Sequence, residues 1–179
     1  MRPHISVCIP VYQGAPTLAA TLRSVLASEN ADFEVVIRDN GSTDGTSGVV
    51  AGFDDPRIRY IRSEGTLPLP ANWRATVGQA RGELIKVLCA DDLISPDCLA
   101  SQAALLKDPT VALVACRRNF IDGNGDVLNR NAGLPGLLGR HGVSEVARKA
   151  VRFGINPVGE PACVMFRRRD YDAIGGFDG

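Results

Sequence analysis

Two adjacent carboxylates, Asp91 and Asp92, follow a short apolar run, LIKVL, that starts at Leu84. A strand buried on both faces of a parallel sheet has this composition, and ligands of open α/β sheets bind beyond the carboxyl ends of such strands. Carboxylate oxygens at that place suit a hard divalent cation, which takes ligand phosphates to complete its coordination shell. An isolated Asp-Asp pair is more simply explained as a solvated turn.

Two further polar clusters follow predicted strands. Tyr12-Gln13-Gly14 comes after the β-branched run ISVCIPV (5–11), and the turn DNGSTDGT (39–46) comes after FEVVIR (33–38). By itself the second cluster is an ordinary turn with a helix cap. Because the carboxyl ends of parallel strands meet at one edge of a sheet, we expect all three clusters to line the same crevice.

The elements between these clusters alternate between strand and helix patterns. Helices are predicted with Pro16 in the first position, after a cap at Ser42 or Thr43, after a cap at Asn72, and after a cap at Ser95 with Pro96 in the first position and Asp97 in the first turn. Short strands are predicted at 58–61 and 111–116. This alternation predicts an α/β fold with an open, mostly parallel, Rossmann-like sheet flanked by helices.

The alternation breaks beyond residue 116. A turn, DGNG (122–125), lies between two apolar pairs and predicts an antiparallel hairpin in the C-terminal part. A helix is predicted at 143–153, a strand at 162–166 and a short helix at 170–174.

Composition limits the class of protein. A chain of 179 residues is expected to form one domain. Its 20 basic and 20 acidic residues do not produce the broad positive field that nucleic acid binding requires. No apolar run reaches the ~20 residues of a membrane span and the N-terminus lacks a secretory signal, so we expect a cytoplasmic protein. The five cysteines have no CxxC spacing and are expected to be reduced and mostly buried.

Four segments together resemble the family 2 glycosyltransferases, inverting enzymes of the GT-A fold that use nucleotide sugars. The segments are ISVCIPVYQGAPTLAATLRSVLAS, FEVVIRDNGSTDGT, NWRATVGQARGELIKVLCADD and NPVGEPACVMFRRRDYDAIGGFDG, and they extend from residue 5 to residue 179. The resemblance implies a single GT-A domain, with residues 1–116 as the nucleotide-binding half and 117–179 as part of the acceptor-side half.

The resemblance also implies roles for individual residues. The expected nucleotide-binding residues are Pro10, Val11, Tyr12, Asp39, Asp44, Asn72, Arg81 and Asp91, and the expected metal ligands are Asp92 and Asp91. Asp39 would accept a base N–H, and Asn72 and Arg81 would contact phosphate or ribose. Ala90 stands where the family's DxD motif has its first acid, so Asp92 would carry most of the metal binding.

The implied reaction moves a sugar from a UDP-, GDP- or dTDP-linked donor to a saccharide or lipid-linked acceptor, with Mn²⁺ or Mg²⁺, in cell-wall or polysaccharide biosynthesis. A full-length protein would then work in the cytoplasm, at the cytoplasmic face of the membrane where the acceptor is lipid-linked. The family's catalytic base lies just after GGFD, whereas this chain stops at Gly179. We therefore assign no base and expect an apparently truncated chain that lacks it.

Three alternatives remain at this point. A sugar nucleotidyltransferase would need a basic loop after the first strand, and residues 12–15 contain no lysine or arginine. A receiver-like signalling domain would need a late lysine, and residues 162–166 offer none. A non-catalytic nucleotide-binding or scaffold module is kept open by Ala90 and by the missing base. Trp73 is expected to pack in the core and Glu160 to be a loop acid. The run Arg167-Arg168-Arg169 is expected to be in part a solvated face, with one arginine able to reach the diphosphate or an anionic acceptor.

Overall fold

The first strand lies in the middle of the main sheet, and all of its residues except Ser6 are apolar. The computed structural model describes residues 2–133, 136–154 and 156–177. All seven residues of this strand are buried. The strands are β1 Ile5–Val11, β2 Phe33–Asp39, β3 Ile58–Arg62, β4 Leu84–Val87, β5 Leu113–Ala115, β6 Arg118–Ile121, β7 Val127–Ala132 and β8 Val164–Arg167.

Helices alternate with these strands through the first part of the chain. They are α1 Leu18–Leu26, α2 Thr46–Ala51, α3 Leu69–Gly78, α4 Cys98–Leu105, α5 Val143–Phe153 and α6 Arg168–Ala173, with a short 3₁₀ helix at Pro161–Cys163. In α1, Leu18, Leu22 and Val25 are buried, as their spacing on one helical face predicts. No helix among the described residues is both long enough and apolar enough to cross a membrane.

The main sheet has six strands in the order β3-β2-β1-β4-β8-β5. β1 pairs in parallel with β2 and with β4, β2 pairs in parallel with β3, and β8 runs antiparallel to β4. The predicted open, mostly parallel α/β sheet is therefore confirmed. The chain leaves β1 towards β2 on one side and returns to β4 on the other, so the crevice of an open sheet is expected beyond the carboxyl end of β1.

The chain divides into two compact units, Met1–Val114 with Met165–Gly179, and Ala115–Val164. The second unit contains the antiparallel β6-β7 pair and α5. The predicted hairpin and the predicted bounds of α5 are confirmed. No residue of α5 is buried, and the Phe153 side chain remains 60% exposed.

Several predicted boundaries were wrong for local reasons. Asn72 does not cap α3 but lies inside it, because a proline near the first position starts the helix earlier, at Leu69. Helix α2 begins only at Thr46, and neither Ser42 nor Thr43 caps it. The strand expected at 162–166 begins at Val164, after the 3₁₀ helix. None of the five cysteines forms a disulfide, as predicted, but only Cys8 and Cys163 are buried.

Candidate active site

The turns that follow β1 and β2 are joined by hydrogen bonds. The backbone N–H of Gln13 donates to Ser42 Oγ at 2.9 Å, and the Gln13 side-chain oxygen accepts from the backbone N–H of Thr43 at 2.7 Å. Gln13 has φ 54°, a left-handed conformation that few residues other than glycine adopt. Its contacts with two residues of the neighbouring turn offset the cost of that conformation.

Asp44 extends the same connection. One carboxylate oxygen accepts from the backbone N–H of Ala15 at 2.9 Å, and the other accepts from the Thr46 hydroxyl at 2.6 Å. The hydrogen bond from Thr46, followed by the one from Ala15, lowers the pKa of Asp44 despite some desolvation. The Thr46 hydroxyl in turn accepts from the backbone N–H of Gly14 at 3.0 Å. Asp44 therefore fixes the two turns to each other.

Asp39, the last residue of β2, is fully buried. Its carboxylate accepts from the Ser42 backbone N–H at 2.8 Å and from the Tyr60 hydroxyl at 2.5 Å, and Arg62 Nε lies 3.9 Å away. Burial acts to raise the pKa of Asp39, but the hydrogen bonds from Ser42 and Tyr60 and the charge of Arg62 together lower it below its ordinary value. The group is thus an anion at neutral pH, and a ligand reaches it only where a neighbour such as Tyr60 moves.

The segment after β4 lies against the first turn. The Thr21 hydroxyl on α1 donates to the Ala90 carbonyl at 2.9 Å. A Cβ built on Gly14 would lie only 2.3 Å from Val11 Cγ2, so position 14 requires glycine. The same Cβ would lie 3.5 Å from the Ala90 Cβ, which shows that the turn after β1 is next to the segment after β4. The turns after β1, β2 and β4 therefore converge at the carboxyl edge of the sheet.

Asp91 and Asp92 end this segment with ligand atoms close together. Asp91 is exposed and Asp92 is half-buried, and the Asp92 backbone N–H donates to the Cys89 carbonyl at 3.2 Å. The Cys89 sulfur and one carboxylate oxygen from each aspartate all lie within 4.8 Å of one another. Small side-chain rotations bring such atoms to the 2.0–2.3 Å that divalent cations require, so the donor set fits a metal ion.

The structure places the remaining predicted residues as follows. Pro10 and Val11 are buried under the same edge, and the Tyr12 side chain is 56% exposed beside them. Asn72 is buried in α3, where its side-chain oxygen accepts from Arg38 Nη1 at 2.5 Å. Because Arg38 directly precedes Asp39, this hydrogen bond connects α3 to the end of β2.

Arg81 is not at this edge. Its backbone N–H donates to Glu34 Oε1 at 2.7 Å and to Ser6 Oγ at 3.2 Å, at the amino ends of β1 and β2. Five residues of strand separate Ser6 from Val11, or about 16 Å at ~3.3 Å per residue. Arg167 and Arg168 lie at the same amino edge, where they donate to the carbonyls of Asp108 and Ala80 respectively. The expectation that one of these arginines reaches the diphosphate is not supported by this placement.

Three residues of the site were missed from sequence. Tyr60 and Arg62 belong to β3, which pairs in register with β2 so that Arg62 stands beside Asp39. A parallel pairing of the second and third strands would have suggested them. Cys89 is one of the five cysteines that the sequence predicts to be reduced and mostly buried, since they have no CxxC spacing.

Known proteins resemble this chain in sequence and in fold. The family model of glycosyl transferase family 2 matches residues 6–175. An uncharacterized protein of Mycobacterium tuberculosis is 33% identical over 98% of this chain and 57% of its own length. The Escherichia coli protein WfgD, a UDP-Glc:α-D-GlcNAc-diphosphoundecaprenol β-1,3-glucosyltransferase, is 26% identical over 72% of this chain and 48% of its own length.

Among solved structures, a mannosyltransferase of Pyrobaculum calidifontis in complex with GDP-Man and Mn²⁺ superposes with a TM-score of 0.71 over 99% of this chain and 48% of that one, at 22% identity. This likeness shows the fold, which is GT-A. The chain thus spans about half the length of these proteins. Because the family model covers nearly the whole sequence, the chain belongs to glycosyl transferase family 2.

Proposed function

We propose that this chain binds a nucleoside-diphosphate sugar at the carboxyl edge of its main sheet, for transfer of the sugar to an acceptor hydroxyl with inversion. The observation that carries the proposal is the convergence of the turns after β1, β2 and β4, which brings a buried anion, Asp39, and the acidic pair of exposed Asp91 and half-buried Asp92 onto one edge. In this proposal the turn after β1 contacts the nucleotide base, and the carboxylates after β4 bind the cation that accompanies the diphosphate.

The base would lie against the turn after β1. Pro10, Val11 and Tyr12 form the wall in this proposal, and Asp39 accepts an N–H of the base in place of the Tyr60 hydroxyl. The exchange leaves the carboxylate paired, so it avoids the cost of an uncompensated buried anion. Asp44 acts indirectly, since it holds the turns together through Ala15 and Thr46.

The diphosphate would lie at the segment after β4. Asp92 is the principal ligand of a Mn²⁺ or Mg²⁺ ion in this proposal, with Asp91 beside it and towards the ribose or sugar. A divalent cation bound there neutralises charge on the departing nucleoside diphosphate. The complex of the Pyrobaculum relative with GDP-Man and Mn²⁺ supports a divalent cation.

Inversion needs a base that removes the proton of the acceptor hydroxyl as this oxygen attacks the anomeric carbon. We assign that base to no residue of the sequence. Glu160, a candidate acid in the second unit, is paired with Arg118 at 2.5 Å, and this contact favours a structural role. The proposal therefore expects nucleotide binding by these 179 residues with little or no sugar transfer.

The acceptor is proposed to be a saccharide, either free or linked to lipid. The name of the Escherichia coli relative gives a diphosphoundecaprenol-linked acceptor, which supports the lipid-linked form. A protein of this kind would act at the cytoplasmic face of the membrane.

Titration calorimetry with UDP, GDP and dTDP, each with and without Mn²⁺, tests the proposal. We expect one nucleotide to bind with an affinity that Mn²⁺ increases, and we expect Asp39→Asn to weaken it. Asp126→Asn, at an exposed acid in the β6-β7 turn, serves as the matched control and should change nothing. Failure of all three nucleotides to bind with Mn²⁺ contradicts the proposal. Binding without turnover in the presence of acceptor supports the missing base, and efficient turnover refutes that part alone.

A further inference from the structure

The acidic pair after β4 has a third neighbour that the family resemblance does not assign, the thiol of Cys89. Its sulfur and the carboxylates of Asp91 and Asp92 form a group whose ligand atoms all lie within 4.8 Å of one another. A tetrahedral Zn²⁺ with Zn–S near 2.3 Å and Zn–O near 2.0 Å holds one sulfur and two oxygens roughly 3.3–3.5 Å apart. The three ligand atoms are therefore near enough for side-chain rotation to bring them onto one ion.

The backbone that carries these side chains is held on both sides. The Asp92 N–H donates to the Cys89 carbonyl, which closes the segment into a turn. On the α1 side, the Thr21 hydroxyl binds the Ala90 carbonyl and Ser24 Oγ accepts from the Ile94 N–H at 3.2 Å. A turn fixed at both ends brings its ligands to the metal with little loss of conformational entropy.

Cys89 differs from the two cysteines that are plainly part of the core. Cys8 and Cys163 are buried, and burial raises the pKa of Cys8 to about 12. Cys89 is only half-buried and lies two residues beyond the end of β4, on the edge where the nucleotide is proposed to bind. It is thus accessible to an ion from solvent.

We propose that Cys89 Sγ is a third protein ligand of the cation at Asp91 and Asp92, and that this site consequently prefers a thiophilic divalent cation, such as Zn²⁺ or Co²⁺, over Mg²⁺. Thiolate favours these ions, whereas sites made only of carboxylate and water favour Mg²⁺ and Mn²⁺. Three protein ligands leave a fourth position open, which a diphosphate oxygen can occupy. This inference rests on the proposed function, because it concerns the same cation site.

Cobalt spectroscopy on the 179-residue chain reports the sulfur ligand without any need for turnover. Co²⁺ is added to the reduced protein in the absence of nucleotide, and the near-ultraviolet thiolate-to-cobalt charge-transfer band is recorded for the wild type, for Cys89→Ser and for Cys98→Ser. Cys98 is the matched control because it is also half-buried but lies on α4. We expect the band in the wild type and in Cys98→Ser, its absence in Cys89→Ser, and its displacement by Zn²⁺ but not by Mg²⁺.

Competition titrations give the size of the effect. Cys89→Ser should weaken Zn²⁺ binding by at least about tenfold, in the range seen when a metal site loses a supporting group, while Mn²⁺ binding changes less. A band that persists in Cys89→Ser overturns the inference. So does the absence of any band in a wild-type protein that still binds a nucleotide with Mn²⁺, and in that case the proposed function stands. A wild type that binds neither Co²⁺ nor a nucleotide with Mn²⁺ overturns both.

Discussion

The two edges of the main sheet differ in the charge that predominates at each. The carboxyl edge has Asp39, Asp44, Asp91 and Asp92. The amino edge has a cavity of about 840 Å³ whose lining includes Arg81, Lys107, Arg167, Arg168 and Arg169. On size and charge alone, the basic cavity would be the more obvious place for an anionic nucleotide.

The hydrogen bonds explain why we assign the site to the acidic edge. At the amino edge, Arg167 donates to the carbonyls of Leu106, Asp108 and Val111, and Arg168 donates to the carbonyl of Ala80. These guanidinium groups satisfy backbone acceptors near the ends of α4 and α3, where cations also interact favourably with the helix dipole. Asp91, by contrast, is exposed. The arginines that donate to backbone carbonyls therefore stabilise the fold, whereas the exposed carboxylate of Asp91 at the carboxyl edge can bind a ligand.

The largest effect on stability is expected at the amino edge. Arg167→Met keeps the aliphatic stem but leaves three carbonyls without their donor, so we expect unfolding free energy to fall by about 4–5 kcal/mol, at ~1.5 kcal/mol for each lost bond to a charged donor. Nucleotide affinity should stay at the wild-type value. Urea unfolding and calorimetry measure the two quantities, and a variant with native stability but weakened nucleotide binding would reverse the roles of the two edges.

Part of the difference between the two edges can be predicted from the sequence. The bounds of β1 and α5 follow from local patterns, a β-branched apolar run and a helical repeat, and both were predicted without error. Arg81 was expected beside the nucleotide, although it precedes β4 by three residues and must therefore lie at the amino end of that strand. The predicted parallel sheet was therefore sufficient to place Arg81 at the amino edge.

Other features of the site depend on contacts that no local pattern encodes. Tyr60 reaches Asp39 only because β3 pairs with β2 in one particular register. Asn72 bonds Arg38 because α3 packs on the end of β2, and its type alone suggested a helix cap instead. Cys89 joins Asp91 and Asp92 through a turn whose geometry follows from contacts with α1. Sequence patterns thus identified the acids but not their neighbours.

The largest effect on binding is expected at the carboxyl edge. Asp92→Asn keeps the size of the side chain but removes a charged cation ligand, so Mn²⁺-dependent nucleotide affinity should fall by at least about tenfold. Asp91→Asn is the comparison variant, and its effect should be smaller. Calorimetry with and without Mn²⁺ separates the metal-dependent part of the affinity. Equal losses in both variants would contradict the assignment of the principal ligand to Asp92.

A smaller, mixed effect is expected for Tyr60→Phe, which removes the hydroxyl that donates to Asp39 at 2.5 Å. Unfolding free energy should fall by about 1.5–3 kcal/mol, the usual net value of a hydrogen bond to a charged group. Nucleotide affinity should rise a few-fold, because the base no longer has to displace the hydroxyl. An unchanged or lower affinity would show that the base does not take the place of Tyr60.

The pH dependence of Tyr60→Phe provides a second check. Burial, and then the hydrogen bond to Asp39, raise the pKa of Tyr60 to about 12, from an ordinary value of 10.0. Since the folded state holds this proton more tightly than the unfolded state, the resulting stability is fully present below pH 10 and is lost as the pH rises towards 12. The wild-type stability should therefore decline over this interval more steeply than that of Tyr60→Phe, as denaturant titrations at several pH values would show.

The smallest effect is expected for Arg81→Ala. The side chain is exposed at the amino edge, and the backbone N–H that binds Glu34 is retained in the variant. Stability should change by less than about 0.5 kcal/mol, as for other surface substitutions. At about 16 Å along the strands from the end of β1, and with charge screening over about 8–10 Å, the lost cation should leave nucleotide affinity unchanged within twofold. A larger loss in calorimetry would mean that the nucleotide extends to the amino edge, and the division of roles between the two edges would then fail.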